Sequence, residues 1–358
     1  MHLFSWKVIL FFRLSALEFT DIHPMTRQWP LRDLRKRRSE DQTAAGDTRL
    51  SLQYVSDLHL EVVQSSYATF HIPTAPVRSA NGDTQSRTLI LAGDIGRIID
   101  SGKLLEFLQR CSTEFDRVLY VLGNHEFYQS THEATITAAQ QLVESPLLEG
   151  RVSLLHRGRV DLDARVTVLG CTLWSKIPSQ QEDEETQLWT EMKLADFRRI
   201  EGWTTTRHTE EHFIDLAWLK DSIEEIAANE PNRRIVVVAH HAPTADRTSN
   251  PKFEANRWNC GFRTGILESN DFRVWRGREQ IEAWVFGHTH FCTDFMKESI
   301  RVVANQRGYV LPNGQMELQA SMKDQVRPKA SLLDCLRRKQ STRSVGQLEF
   351  DPSKTIIV

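Results

Sequence analysis

Five short stretches of this 358-residue chain end an apolar run in side chains that can bind a metal ion or move a proton. They are Val55-Ser56-Asp57-Leu58-His59, Leu91-Ala92-Gly93-Asp94, Leu122-Gly123-Asn124-His125-Glu126, Val238-Ala239-His240-His241 and Phe286-Gly287-His288-Thr289-His290. A buried strand ending in such groups delivers them to solvent, and the carboxyl ends of strands are where α/β sheets bind ligands. Asp57, His59, Asp94, Asn124, His240, His288 and His290 offer carboxylate, imidazole and one amide oxygen, without thiolate. That donor set suits Mn, Fe or Zn. Seven protein ligands exceed what one ion with an open position accepts, and they match two ions bridged by a carboxylate. Paired ions sit about 3.5–4 Å apart and clamp the attacking and leaving oxygens of an in-line displacement. Their shared hydroxide would be the nucleophile, because coordination lowers the pKa of water toward neutrality. His125, directly after Asn124, is placed to give a proton to a leaving oxygen. Neighbours on a strand face opposite ways, so only one of His240 and His241 should ligate. His240 is preferred because it directly follows the apolar run.

The elements that must hold these groups alternate in kind. Residues 50–55, 88–92, 118–122 and 235–239 read as strands, and another ends at Gly287. Residues 101–115 carry Leu104, Leu105, Leu108 and Cys111 at helical spacing, and 131–144 read as a second helix. Residues 209–229 form a third, with Phe213, Leu216, Ala217, Ile223, Ile226 and Ala227 on one face. This alternation argues an α/β domain with crossover connections. Residues 152–155 and 166–173 are expected to be neighbouring strands. Residues 175–207 break the rhythm with an acidic run and then Trp189, Met192, Phe197 and Trp203, the pattern of an insertion or lid. Arg198 within it, and Arg257 in the polar loop 243–270, are candidate contacts for an anionic substrate. Arg247 and Arg263 of that loop are also available, and Asp196 is within possible reach. Residues 293–297 and 300–304 suggest antiparallel strands, 313–347 a polar insertion or loop, and 348–358 a terminal strand returning to the domain.

Composition sets the bounds. A net charge of −2 and ordinary apolar content suit a soluble globular protein. They give no reason to expect nucleic acid or membrane as a partner. A nuclease would want a concentrated basic stripe, and none occurs beyond the amino-terminal region. Five scattered cysteines without a C-x-x-C spacing point to free thiols and a cytoplasmic, reducing setting. Residues 1–48 read as a disordered or targeting-like extension. Their apolar stretch is interrupted by Lys7 and Arg13 and is shorter than the roughly 20 residues a spanning helix needs.

In their order, Asp-x-His, Gly-Asp, Gly-Asn-His-Glu, a strand-end His and Gly-His-x-His, the motifs resemble those of the calcineurin-like metallophosphoesterase superfamily. The resemblance spans roughly residues 50–310 and, with the domain bounds above, frames a domain at 49–312. It implies a four-layer α/β/β/α sandwich of two mixed sheets, a dinuclear centre at the strand ends, and hydrolysis of a small phosphate mono- or diester. It also implies that Asp57, His59 and His290 bind one ion, that Asn124, His240 and His288 bind the other, and that Asp94 bridges them. His125 becomes the acid or transition-state stabiliser. One feature departs from the pattern. Many members continue Gly-Asp-x-x-Asp, and that second acid supports the catalytic histidine. Here Gly93-Asp94 runs into Ile95-Gly96-Arg97, which leaves Glu126 as the candidate to orient His125. A non-catalytic metal-binding scaffold of the same fold is the rival reading. It predicts eroded ligands, yet all eight positions are filled.

Overall fold

Period-two alternation decides which way each strand side chain faces, and here it builds two sheets with apolar residues on both faces. The computed structural model describes residues 49–76, 86–310 and 348–358. The expected extension 1–48 and the polar segment 313–347 lie outside them. The strands are β1 (Ser51–Val55), β2 (Thr88–Ala92), β3 (Arg117–Val121), β4 (Val152–Leu154), β5 (Gly158–Asp161) and β6 (Val166–Cys171). They continue with β7 (Arg234–Ala239), β8 (Ile281–Phe286), β9 (Thr293–Lys297), β10 (Ile300–Ala304) and β11 (Thr355–Ile357). The helices are α1 (Ser66–Thr69), α2 (Ser101–Glu114), α3 (His132–Val143), α4 (Gln180–Lys193), α5 (Asp196–Arg199), α6 (Thr205–Asn229) and α7 (Asn270–Arg273).

One sheet has the order β11-β1-β2-β3-β4 and the other β5-β6-β7-β8-β10-β9. Within the first, β1 to β4 run parallel and β11 returns antiparallel, pairing Leu52 with Ile356. Within the second, β6, β7, β8 and β10 are parallel between antiparallel edges. Tyr54, Ile90, Leu119 and Val121 of the first sheet meet Val168, Val236, Val238 and Val285 of the second in one buried layer. Outside it, α2 and α3 cover the first sheet through Leu104, Leu108 and Ala139. Leu219, Ile223 and Ile226 of α6 cover the second. The result is the four-layer α/β/β/α sandwich. Because its central strands are parallel within each sheet, their polar endings gather at common edges.

Two local expectations fail for identifiable reasons. The strands at 152–155 and 166–173 are not neighbours. β4 follows β3 through the crossover helix α3 and extends the first sheet, whereas β6 pairs with β5 and β7 in the second. Helix α6 begins four residues earlier than expected, at Thr205, where the Thr204 side chain accepts from the Arg207 amide. Its first turns bury a polar face. Phe213 is exposed, while Glu211 and Asp215 are buried beneath Arg157, whose guanidinium donates to them at 3.1 and 2.8 Å. The Leu173 amide adds a bond to Asp215. A buried carboxylate is tolerated where donors of this kind satisfy it, and an apolar pattern cannot foresee them. Among the described residues, no helix is long and apolar enough to cross a membrane.

Candidate metal centre

Five of the seven expected donors lie on strained backbone. Asp57, His59, Asp94, His288 and His290 have φ of 53, 46, 54, 71 and 49°. Side chains rarely occupy that left-handed region, and each such residue costs on the order of 1–3 kcal/mol unless its surroundings hold it. Here the strand-end loops latch onto one another. The Asp57 amide donates to Gly93 O and the His59 amide to Asp94 O, both at 3.0 Å. The His288 amide donates to Asp57 Oδ1 at 2.9 Å, and the His125 amide to Asp94 Oδ1 at 2.8 Å. Glycine is required where these loops meet. Gly93 has φ of 86°, and a Cβ there would overlap the His240 ring. A Cβ on Gly123 would overlap the Asp94 carboxylate.

The donors fall into two groups, and Asp94 of the second also approaches His59 of the first. Asp57, His59 and His290 point ligand atoms within 4.8 Å of one another, and so do Asp94, His240 and His288. Asp94 Oδ1 is 3.3 Å from His240 Nε2, while its Oδ2 is 3.8 Å from His59 Nε2. In the second group, Asn124 Oδ1 stands 3.1 Å from His240 Nε2. Its amide is turned that way because Nδ2 donates to Asp196 Oδ1 at 2.7 Å and to the Tyr128 hydroxyl at 3.1 Å. His240 donates through Nδ1 to Ala92 O at 3.0 Å, which leaves Nε2 free for the cluster. A backbone carbonyl behind a histidine is the usual support for a metal ligand. His241 packs its ring against His288, Trp174 and His208, with centroids 4.2, 5.3 and 5.6 Å apart, and its nitrogens join neither donor group.

These residues fit divalent cations. His59 Nε2 and His290 Nε2 face each other at 2.8 Å. Two nitrogens bound about 2.1 Å from one ion, at adjacent positions, lie about 3 Å apart. Burial, and then the neighbouring imidazoles, hold His288 and His290 well below the ordinary histidine range, in the neutral form that binds a metal. Asp94 stays ionised. Burial opposes this, but the facing His240 and His125 outweigh it and hold the carboxyl well below its usual value. Burial likewise works against a charged His240, yet the Asp94 and Asp57 carboxylates raise it to about 10. Below that pH a cation must displace a proton from His240 in order to bind.

Glu126 does not orient His125. It accepts from the Asp94, Ile95 and Gly123 amides and the Tyr120 hydroxyl at 2.8–2.9 Å, tying the β2 and β3 endings together from below. The carboxylate beside His125 is Glu61, two residues after His59, whose Oε1 lies 2.7 Å from His125 Nδ1 and 3.4 Å from His59 Nδ1. On its other side, His125 Nε2 meets the Tyr309 hydroxyl at 3.0 Å. Burial disfavours a charged His125, but Asp94 and then Glu61 overcome it and raise the imidazole to about 9. Arg198 is exposed and donates to Met192 O, and Arg257 pairs with Glu185 on the surface. Neither lines the cavity that opens beside the cluster, whereas Lys193, Asp196 and Arg263 do. Sequence reasoning passed over Glu61, Tyr128 and Tyr309. Only the spacing Asp-x-His-x-Glu could have drawn attention to the first.

Over residues 53–292 the sequence matches the family described as calcineurin-like phosphoesterase. Uncharacterized protein L509 of Acanthamoeba polyphaga mimivirus is 26% identical over 274 residues, spanning 72% of this chain and 91% of the viral protein. The crystal structure of phosphopantetheinyl hydrolase from Mycobacterium tuberculosis superposes with a TM-score of 0.54 at 16% identity. That alignment covers 72% of this chain and 89% of the mycobacterial one, and at such identity it concerns the fold.

Proposed function

Since the chain belongs to the calcineurin-like phosphoesterase family, and so to the metal-dependent phosphoesterases in general, we propose that it holds two divalent cations and hydrolyses a small phosphate mono- or diester. The observation that carries this reading is the position of Asp94, with one carboxylate oxygen toward each donor group. Bound there, divalent cations supply an activated water near neutral pH and neutralise charge on the phosphoryl oxygens. The protein's own part is to fix the donors and to handle the leaving group's proton. Asp57, His59 and His290 would hold one cation, Asn124, His240 and His288 would hold the other, and Asp94 would reach both.

His125, charged near neutral pH, would donate its Nε2 proton to the departing oxygen, and Nε2 now faces the Tyr309 hydroxyl at 3.0 Å. Glu61 is a positioning residue. It accepts from Nδ1 and so aims Nε2 at the cavity, the service that a carboxylate behind a histidine performs in other acid–base pairs.

The direct test is hydrolysis of an aryl phosphate and of a bis-aryl phosphate by metal-stripped protein, before and after adding manganese, iron or zinc. Metal-dependent release from either substrate is expected. Silence with every metal and both substrates would leave a scaffold. The positioning role has its own test. At saturating metal, Glu61→Ala should lose about 10- to 100-fold in kcat. Combined with His125→Ala, it should cost no more than about twofold beyond the latter alone, because the two act as a unit. Fully additive losses would assign Glu61 a structural role only.

A further inference from the structure

The cavity beside the cluster has about 350 Å³ of space, near the lower end of the roughly 300–1,000 Å³ typical of small-molecule sites. Asp94, Asn124, His125, His288 and His290 form its inner wall. Leu194, Phe253, Trp258 and Phe262 add apolar and aromatic surface to the lining, beside the polar Ser249, Asn256, Asn259 and Arg263. None of these belongs to the two sheets. They come from the end of α4 and from the loop 249–263, which are tied together where Thr190 Oγ1 meets Cys260 Sγ at 3.3 Å. The Phe262 ring stacks on His288 with centroids 4.7 Å apart, so the aromatic surface begins at the donors themselves.

Lys193 Nζ lies 5.6 Å from the ring centroids of both Trp189 and Trp258, and no ion pair joins it to a carboxylate among the described residues. The preceding turns of α4 carry Glu182, Asp183, Glu184 and Glu185 in succession, of which Glu182 pairs with Lys176 and Glu185 with Arg257, and none lines the cavity. Lys193 and Arg263, which both line the cavity, attract a small anion, and the rings beside them offer its organic part a surface to stack on.

Resting on the phosphoesterase reading, we infer that this cavity is the subsite for the organic arm of the substrate, and that the arm is a flat apolar ring on a small phosphoester. The space accepts a phosphate with a mono- or bicyclic ring.

Calorimetric titration of the manganese-loaded protein with two phosphonates that share a headgroup tests this without turnover. Naphthylphosphonate should bind at least about tenfold more tightly than methylphosphonate, as expected for a ring stacked in an apolar pocket. In Trp258→Ala, and independently in Phe253→Ala, the ratio should shrink to about twofold. Equal affinity of wild-type protein for the two ligands overturns the ring subsite and leaves the phosphoesterase reading standing. A phosphoserine peptide that binds more tightly than naphthylphosphonate overturns the subsite as well. Failure to bind either phosphonate removes the phosphoesterase reading, and the subsite with it.

Discussion

Asp94→Asn should reduce phosphoester hydrolysis on the order of 10³-fold, the equivalent of about 4 kcal/mol in the barrier, and should lower the metal retained after dialysis. The amide nearly matches the carboxylate in size and still presents an oxygen to the His125 amide, which now donates to Asp94 Oδ1. What it removes is charge. Asp94 stands 3.3 Å from His240 on one side and 3.8 Å from His59 on the other, so under the proposed two-cation reading both positions would be weakened together. A neutral oxygen between two dications leaves their mutual repulsion poorly compensated in a buried site. Metal analysis and kinetics on the same preparation check the prediction, with circular dichroism to establish folding. Full activity in the variant would remove the bridging role.

His125→Ala should behave differently, keeping its metal and losing about 10²–10⁴-fold in kcat, the usual size of a general-acid contribution. The loss should depend on the leaving group. An alkoxide needs the proton from Nε2, whereas a nitrophenolate leaves without it, so the defect should be largest for alkyl esters and fall below about tenfold for nitrophenyl esters. A variant equally impaired on both classes would point to lost transition-state charge stabilisation in place of proton transfer. The protonated state is available at neutral pH because Asp94 and Glu61 outweigh burial and hold the imidazole near 9.

The candidate donors that the structure brings together could be picked out in the sequence because the physics that places them is local. Each follows a short apolar run, and in parallel strands covered on both faces such runs end at the same edge. The choice of His240 over His241 also followed from local geometry, and the structure adds the Ala92 carbonyl behind it. The supporting groups were not legible. Asp196 meets Asn124 across 72 residues and Tyr309 meets His125 across 184. No periodicity encodes such contacts. Glu61 lay within the motif, but its service to His125 arises only when the β1 and β3 endings are brought together, and so Glu126, adjacent in sequence, was favoured wrongly. The polar buried face of α6 escaped for a similar reason, since Arg157, which satisfies Glu211 and Asp215, lies more than fifty residues away. The arginines expected to meet substrate illustrate the converse. Arg198 and Arg257 had suitable chemistry, yet each is occupied on the surface.

The most direct test of the whole account is a titration of metal-stripped protein with manganese, reading bound metal and phosphate release from an aryl phosphate together. Activity should rise only as the second equivalent per chain binds. Full turnover with one equivalent or none, or two bound equivalents with no turnover on any phosphoester, would contradict it.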